Sequence, residues 1–173
     1  MKPKPRLIGG SPKMHIISRD RATTKSSRQK VGEGLTHYLA DTYLLYLKTQ
    51  NFHWNVRGPH FHSLHKFFEE MYQELAEAVD TIAERIRAMH MNTPASFAQF
   101  LRLTCLEEET SVISAEEMLK QLLHDHQIIS QTLARLFEQA EHAEDEATVD
   151  LITERMRAHE KMAWMLRATL GQV

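Results

Sequence analysis

Residues 60–89 read HFHSLHKFFEEMYQELAEAVDTIAERIRAM, thirty residues with neither glycine nor proline. Leu64, Phe68, Met71, Leu75, Val79, Ile82 and Ile86 recur every three or four positions. At helical pitch they fall within an arc about 80° wide. This spacing predicts one long helix with a single core-facing stripe. A helix of that kind needs partners on its apolar side, and the flanking sequence supplies them.

Upstream, Leu35, Leu39, Tyr43, Tyr46 and Leu47 predict a helix from about Glu33 to Val56. Arg57-Gly58-Pro59 then breaks the chain. Downstream, Thr93-Pro94 reads as an N-cap and first-turn pair for a short helix around ASFAQFLRL. Ser114 and Glu117 form a capping box that opens a third long helix, running to about Ala140. Asp145 or a neighbour starts a fourth, which carries Leu151, Met156, Trp164 and Leu166 and ends before Gly171. The expected fold is all-α: a four-helix bundle with a short extra helix in the crossover between helices 2 and 3.

Composition narrows the class. A chain of 173 residues with 42% hydrophobic residues, six glycines and five prolines suits one helical domain, with no internal repeat. No apolar run approaches a membrane span, and no signal-peptide core is visible. The single cysteine, Cys105, excludes an internal disulfide and fits a reducing cytoplasm; as a small residue it is expected to be buried or half-buried. The net charge of −2 conceals an asymmetry. Residues 1–30 carry Lys2, Lys4, Arg6, Lys13, Arg19, Arg21, Lys25, Arg28 and Lys30 against Asp20 alone, a net +8, which leaves −10 on the rest. Residues 1–30 are expected to be a disordered basic arm and residues 31–173 the bundle domain.

The predicted second helix also carries a polar arc beside its apolar stripe. With His65 at 0°, Glu69 falls at about 40°, Asp80 at about 60° and Glu84 at about 100°. His53, in the last turn before the break, can fold back near His65. Imidazole with carboxylate suits iron, manganese or zinc. Yet Glu69 and Asp80 are roughly 16 Å apart along the axis, and His65 and Glu84 roughly 28 Å. Ligands lie about 2 Å from a metal, so one chain cannot close such a site. Two copies packed antiparallel about a two-fold axis would build it twice. The plainer alternative is an ordinary solvated acidic face. No histidine follows a glutamate by three residues, which argues against a di-iron site inside one bundle.

The runs HWNVRG (53–58), a second histidine twelve residues after the first, DTIAERI (80–86), LLHDHQ (122–127) and HEKMAWMLR (159–167) together resemble the Dps family, the DNA-binding miniferritins of starved cells. The likeness covers about residues 31–170 and leaves the basic arm outside. It implies a ferritin-like bundle, a hollow homo-dodecamer of 23 symmetry, and an intersubunit ferroxidase centre. Carried over by position, His53, His65 and Glu69 come from one subunit and Asp80 and Glu84 from its two-fold partner. The family commonly has Asp where this chain has Glu69. The resemblance makes Trp54 an electron donor beside the centre; otherwise it is a core aromatic. His60 and His62 match no family ligand, and His124, His126, His142 and His159 read as surface or packing residues.

As an activity, the resemblance implies oxidation of Fe²⁺ by H₂O₂ or, more slowly, O₂, with Fe³⁺ stored as mineral. It places the acidic turn with Glu141, Glu144, Asp145 and Asp150 near three-fold pores that draw in Fe²⁺. The plain reading of that turn is a helix start favourable to the dipole. Non-specific DNA binding through the arm, a nucleoid-associated cytoplasmic location, and two rival readings complete the expectations. The rivals are an architectural shell without ferroxidase activity and a centre that holds zinc.

Overall fold

The computed structural model describes residues 17–172, with side chains from residue 26 onward. Its elements are α1 (Ile17–Asn55), α2 (Phe61–Ala88), α3 (Phe97–Leu103), α4 (Ala115–His142) and α5 (Glu146–Thr169). The described residues contain helices and connections only. Hairpin α1–α2 and hairpin α4–α5 pack together chiefly through α1 against α4, and α3 lies on α1 within the crossover. This is the bundle that the spacing predicted. No helix among the described residues is long and apolar enough to cross a membrane.

The buried face of α2 is Leu64, Phe68, Met71, Leu75, Ala78, Ile82 and Ile86, with Val79 at the edge. It meets Leu35, Leu39, Leu45 and Phe52 of α1, Leu122, Ile129 and Leu133 of α4, and Ile152 and Leu166 of α5 in one core. Burying a side chain of this size stabilises the fold by about 1.5–3 kcal/mol, which is why the stripe fixes the rotation of α2.

The caps divide between expectation and correction. Ser114 accepts from Glu117 N, and Asp145 accepts from Thr148 N, as the sequence suggested. The short helix is capped by Ser96 instead of Thr93. Ser96 Oγ accepts from Gln99 N at 3.4 Å and donates to Gln99 Oε1 at 2.8 Å, and the Ala95 N–H donates to that same oxygen at 3.3 Å. Thr93 Oγ donates to the Ala83 carbonyl, tying the crossover to α2.

A second correction concerns the arm. Helix α1 begins at Ile17, so the described part of the expected disordered segment, 17–30, is helical. An apolar stripe is not needed to lengthen a helix that is already nucleated, since each added residue gains one hydrogen bond. The residues here include the good formers Arg, Lys, Gln and Ala. Arg28 and Lys30 are exposed on it. Lys2, Lys4, Arg6 and Lys13 lie outside the described residues, as do the side chains of Arg19, Arg21 and Lys25.

Two buried polar systems cross the bundle. Lys48 Nζ donates to Asp125 Oδ2 at 2.6 Å, both side chains about 5% exposed. Arg155 pairs with Glu74 through both its terminal nitrogens, and its Nε donates to Tyr38 Oη at 3.1 Å. Tyr38 Oη is 3.1 Å from His159 Nε2, and His159 Nδ1 is 2.8 Å from His126 Nδ1. Burial, with the nearby Arg155 charge, pushes His126 down to about 3 and His159 well below its usual range, so both are neutral. These two histidines are therefore packing residues, while His124 and His142 are exposed.

Candidate metal centre

The turn between α1 and α2 brings two of the predicted ligands together. Gly58 adopts φ +114°, a conformation costly for any side chain, and this lets five residues reverse the chain. His53, in the last turn of α1, then faces His65, in the second turn of α2. Their rings stack at 3.8 Å between centroids and 18° between planes. His53 Nδ1 is 2.7 Å from the His65 carbonyl oxygen, and His65 Nδ1 is 2.8 Å from the His53 carbonyl oxygen.

A carbonyl oxygen only accepts, so each Nδ1 carries the proton. In the neutral ring Nε2 is then the bare nitrogen, available to a metal. Metal-binding histidines are commonly oriented by such an N–H to carbonyl bond. The arrangement prepares both rings as ligands without committing either coordinating atom. Tyr72 stands edge-on to His53 at 5.2 Å, and Phe61 stacks on His65 at 5.1 Å, so one side of the pair is sheathed in aromatic surface. Tyr72 was not picked out from sequence, although its position seven residues after His65 places it on the same face of α2.

The carboxylates are arranged differently. Glu69 is half-buried one turn beyond His65; Asp80 and Glu84 are exposed farther along α2. Among the described residues no three His, Cys, Asp or Glu side chains converge on a point where a metal ion could be held. A single chain thus presents two separate donor sets, the histidines with Glu69 at the α1–α2 turn and Asp80 with Glu84 farther along α2. His60 and His62 are exposed at the start of α2. Trp54 is 63% exposed, so it is not a core aromatic of this chain.

The acidic turn also differs from expectation at one residue. Glu141, Glu144 and Asp150 are exposed, but Asp145 is 7% exposed and receives Arg85 Nη2 at 2.5 Å. Burial pushes its carboxyl up, and the Arg85 guanidinium with Thr148 more than reverses this, holding it below the usual carboxylate range. Asp145 is a helix cap and an ion-pair partner, which removes it from the expected set of free pore acids. Cys105 is exposed, against the expectation of burial, yet its Sγ donates to Asp41 Oδ2 at 3.3 Å. Partial burial and the adjacent carboxylate push the thiol up to about 11, so it is a poor nucleophile.

Bundle, crossover helix and paired histidines at the first hairpin define a ferritin-like protein. Residues 32–173 match the ferritin-like domain family. DNA protection during starvation protein 2 of Bacillus anthracis is 38% identical over 144 residues, spanning 83% of this chain and 99% of that protein. A low-temperature-induced protein of Nostoc is 41% identical over 147 residues, 84% of this chain and 82% of the relative. The crystal structure of a Dps protein from Vibrio cholerae, described as one of the ferritin-like diiron-carboxylate proteins, superposes with a TM-score of 0.82 at 32% identity, covering 84% and 92% of the two chains. The chain belongs to the Dps family.

Proposed function

We propose that this chain is the subunit of a ferroxidase that oxidises Fe²⁺ at centres shared by two copies and stores Fe³⁺ as mineral inside a hollow twelve-subunit shell. The observation that carries the reading is the reciprocal pair of bonds between His53 and His65, which leaves two Nε2 lone pairs on offer, one helical turn before Glu69 on α2. Asp80 and Glu84 sit too far along the same helix to serve those nitrogens and are free to serve a partner's. The imidazoles hold the substrate ion and set its position. The three carboxylates stabilise the charge gained as Fe²⁺ becomes Fe³⁺. H₂O₂ is the preferred electron acceptor and O₂ the slower one. Consuming Fe²⁺ and peroxide together removes the reagents that make hydroxyl radical. Glu69, one methylene longer than the family's usual Asp, sets this centre's affinity apart from that of its relatives.

Fe²⁺ is drawn in by the exposed Glu141, Glu144 and Asp150 of the α4–α5 turn. The basic segment, with Arg28 and Lys30 exposed on the start of α1, binds DNA phosphates without sequence preference, in a cytoplasmic nucleoid. Replacing its nine cations by glutamine should abolish DNA retardation at low salt and leave iron oxidation intact. The decisive experiment is peroxide-dependent Fe²⁺ loss in the unaltered shell and in His65→Ala and Asp80→Ala, with metal analysis of each. Loss of activity in both variants supports the centre. Unchanged activity in the variants removes His65 and Asp80 from the centre, no activity in the unaltered shell favours an architectural shell, and tightly held zinc that iron does not displace points to a zinc centre.

A further inference from the structure

The chain has four tyrosines, and three of them stand in a row that starts at the metal-binding histidine. Tyr72 is edge-on to His53 at 5.2 Å. Tyr46 follows at 6.2 Å from Tyr72, and Tyr43 at 5.9 Å from Tyr46. Each step lies within the range of direct aromatic contact. Tyr43 in turn stacks on Phe100 of α3 at 4.6 Å. Phenylalanine is far harder to oxidise than a phenol, so an oxidising equivalent moving outward stops at Tyr43. That is ten residues, or roughly 15 Å along α1, from His53. The row spans two helices, and all three phenols are half-buried at its margin, where water can take a phenolic proton. Packing alone does not require a phenol at three successive positions of such a row, since phenylalanine would fill the same space.

Resting on the ferroxidase reading, we propose that Tyr72, Tyr46 and Tyr43 form an electron-relay ladder that supplies the second electron peroxide needs when a centre holds a single Fe²⁺. Peroxide takes two electrons and two protons to become two waters. One electron comes from Fe²⁺, leaving Fe³⁺. The other comes from Tyr72 through the contact with His53 and is replaced from Tyr46 and then Tyr43, leaving a neutral tyrosyl radical. The phenolic proton is released to water and offsets one of the two protons consumed. The O–O bond breaks with both electrons supplied, so no hydroxyl radical leaves the centre. A later Fe²⁺, with one proton, returns the tyrosyl to tyrosine and becomes Fe³⁺.

The remaining tyrosine, Tyr38, belongs to the separate Arg155–His159 network and serves as a control. The test is rapid-freeze electron paramagnetic resonance on shells loaded with one Fe²⁺ per centre and mixed with one peroxide per iron. Spin trapping of hydroxyl radical and Fe²⁺ loss are followed in parallel. The unaltered shell should show a tyrosyl signal that a further Fe²⁺ addition erases. Tyr72→Phe should lose most of that signal and release several-fold more trapped hydroxyl radical while still oxidising iron. Tyr46→Phe should confine the radical to Tyr72 and shorten its lifetime, and Tyr38→Phe should leave it unchanged. Iron oxidation with no tyrosyl signal, or with a signal that survives Tyr72→Phe and vanishes in Tyr38→Phe, overturns the ladder and leaves the ferroxidase reading standing. No peroxide-dependent Fe²⁺ loss in the unaltered shell overturns both.

Discussion

His53 and His65 each donate a ring N–H to the other's backbone carbonyl, at 2.7 and 2.8 Å, so each ring is oriented by the backbone of the other's helix. Replacing either by alanine leaves the partner's bond to the backbone carbonyl in place, but removes one Nε2 and the stacked ring. His53→Ala and His65→Ala should therefore each lose most of the metal affinity of the centre, more than the about 10–100-fold that loss of an orienting partner costs. The double variant should lose more than either single one, because the histidine left in each single variant is still oriented by a backbone carbonyl and still offers its Nε2. Titration with Co²⁺, followed by its visible absorption, measures this directly. A double variant no worse than either single one would overturn the reading of both residues as ligands.

Shared centres make a sharper statement about mixed assemblies. In a shell co-assembled from His65→Ala and Asp80→Ala subunits, every mixed pair contains one centre with both defects and one with none. Random pairing should restore about a quarter of the centres, although each variant alone is inactive. Peroxide-dependent Fe²⁺ loss per subunit reads the fraction. No recovery would mean that both residues serve the same chain.

The Lys48–Asp125 pair is buried at 2.6 Å, each side chain only about 5% exposed. Burial pushes the Asp125 carboxyl up even against the Lys48 charge, so it depends on that ammonium to stay ionised. Lys48→Met should cost about 3–5 kcal/mol, as is usual when one partner of a buried pair is removed. Lys48→Met with Asp125→Leu should recover most of it. Denaturant midpoints on the assembled protein distinguish the two, and a mild loss in the single variant would mean that water reaches Asp125.

The neutral His126–His159 pair predicts acid sensitivity. Both folded-state values lie below the ordinary value near 6.5, His126 at about 3. The unfolded chain thus binds more protons, and stability present above pH ~6.5 is lost as the pH falls toward ~3. Each histidine contributes a slope of up to about 1.4 kcal/mol per pH unit within that window. His126→Leu removes one titrating group, together with a buried Nε2 that has no hydrogen-bond partner among the described residues. The denaturation midpoint of this variant should fall less steeply between pH 6 and 4 than that of the unaltered protein. An equal slope would assign the acid loss to other groups.

The bundle was legible because its cause is periodic. Leu64 through Ile86 repeat at helical spacing, and burial of that stripe leaves few arrangements. His53 and His65 were legible as neighbours because a Gly-Pro break sets the turn between them. The start of α1 at Ile17 was not, since a polar helix extended from a stable one leaves no hydrophobic pattern. Nor was the Ser96 cap, which competes with an equally suitable Thr93 a few residues earlier. The Tyr38–Arg155–His126–His159 system was hidden for a different reason. Its members come from three helices, together with Glu74 from a fourth, and sequence spacing within one helix says nothing of what faces it across a core.

Arg85, which ties down Asp145 in the α4–α5 turn, is the residue next to Glu84. On the proposed centre Glu84 serves the neighbouring subunit, so a flaw in that turn would act on chemistry the flawed chain does not itself perform. The injury and the deficit then fall on different molecules. In a cell making both sound and altered copies, a lesion at Asp145 would spoil centres whose histidines are intact, and the fraction of centres lost would equal the fraction of altered subunits, however the copies pair.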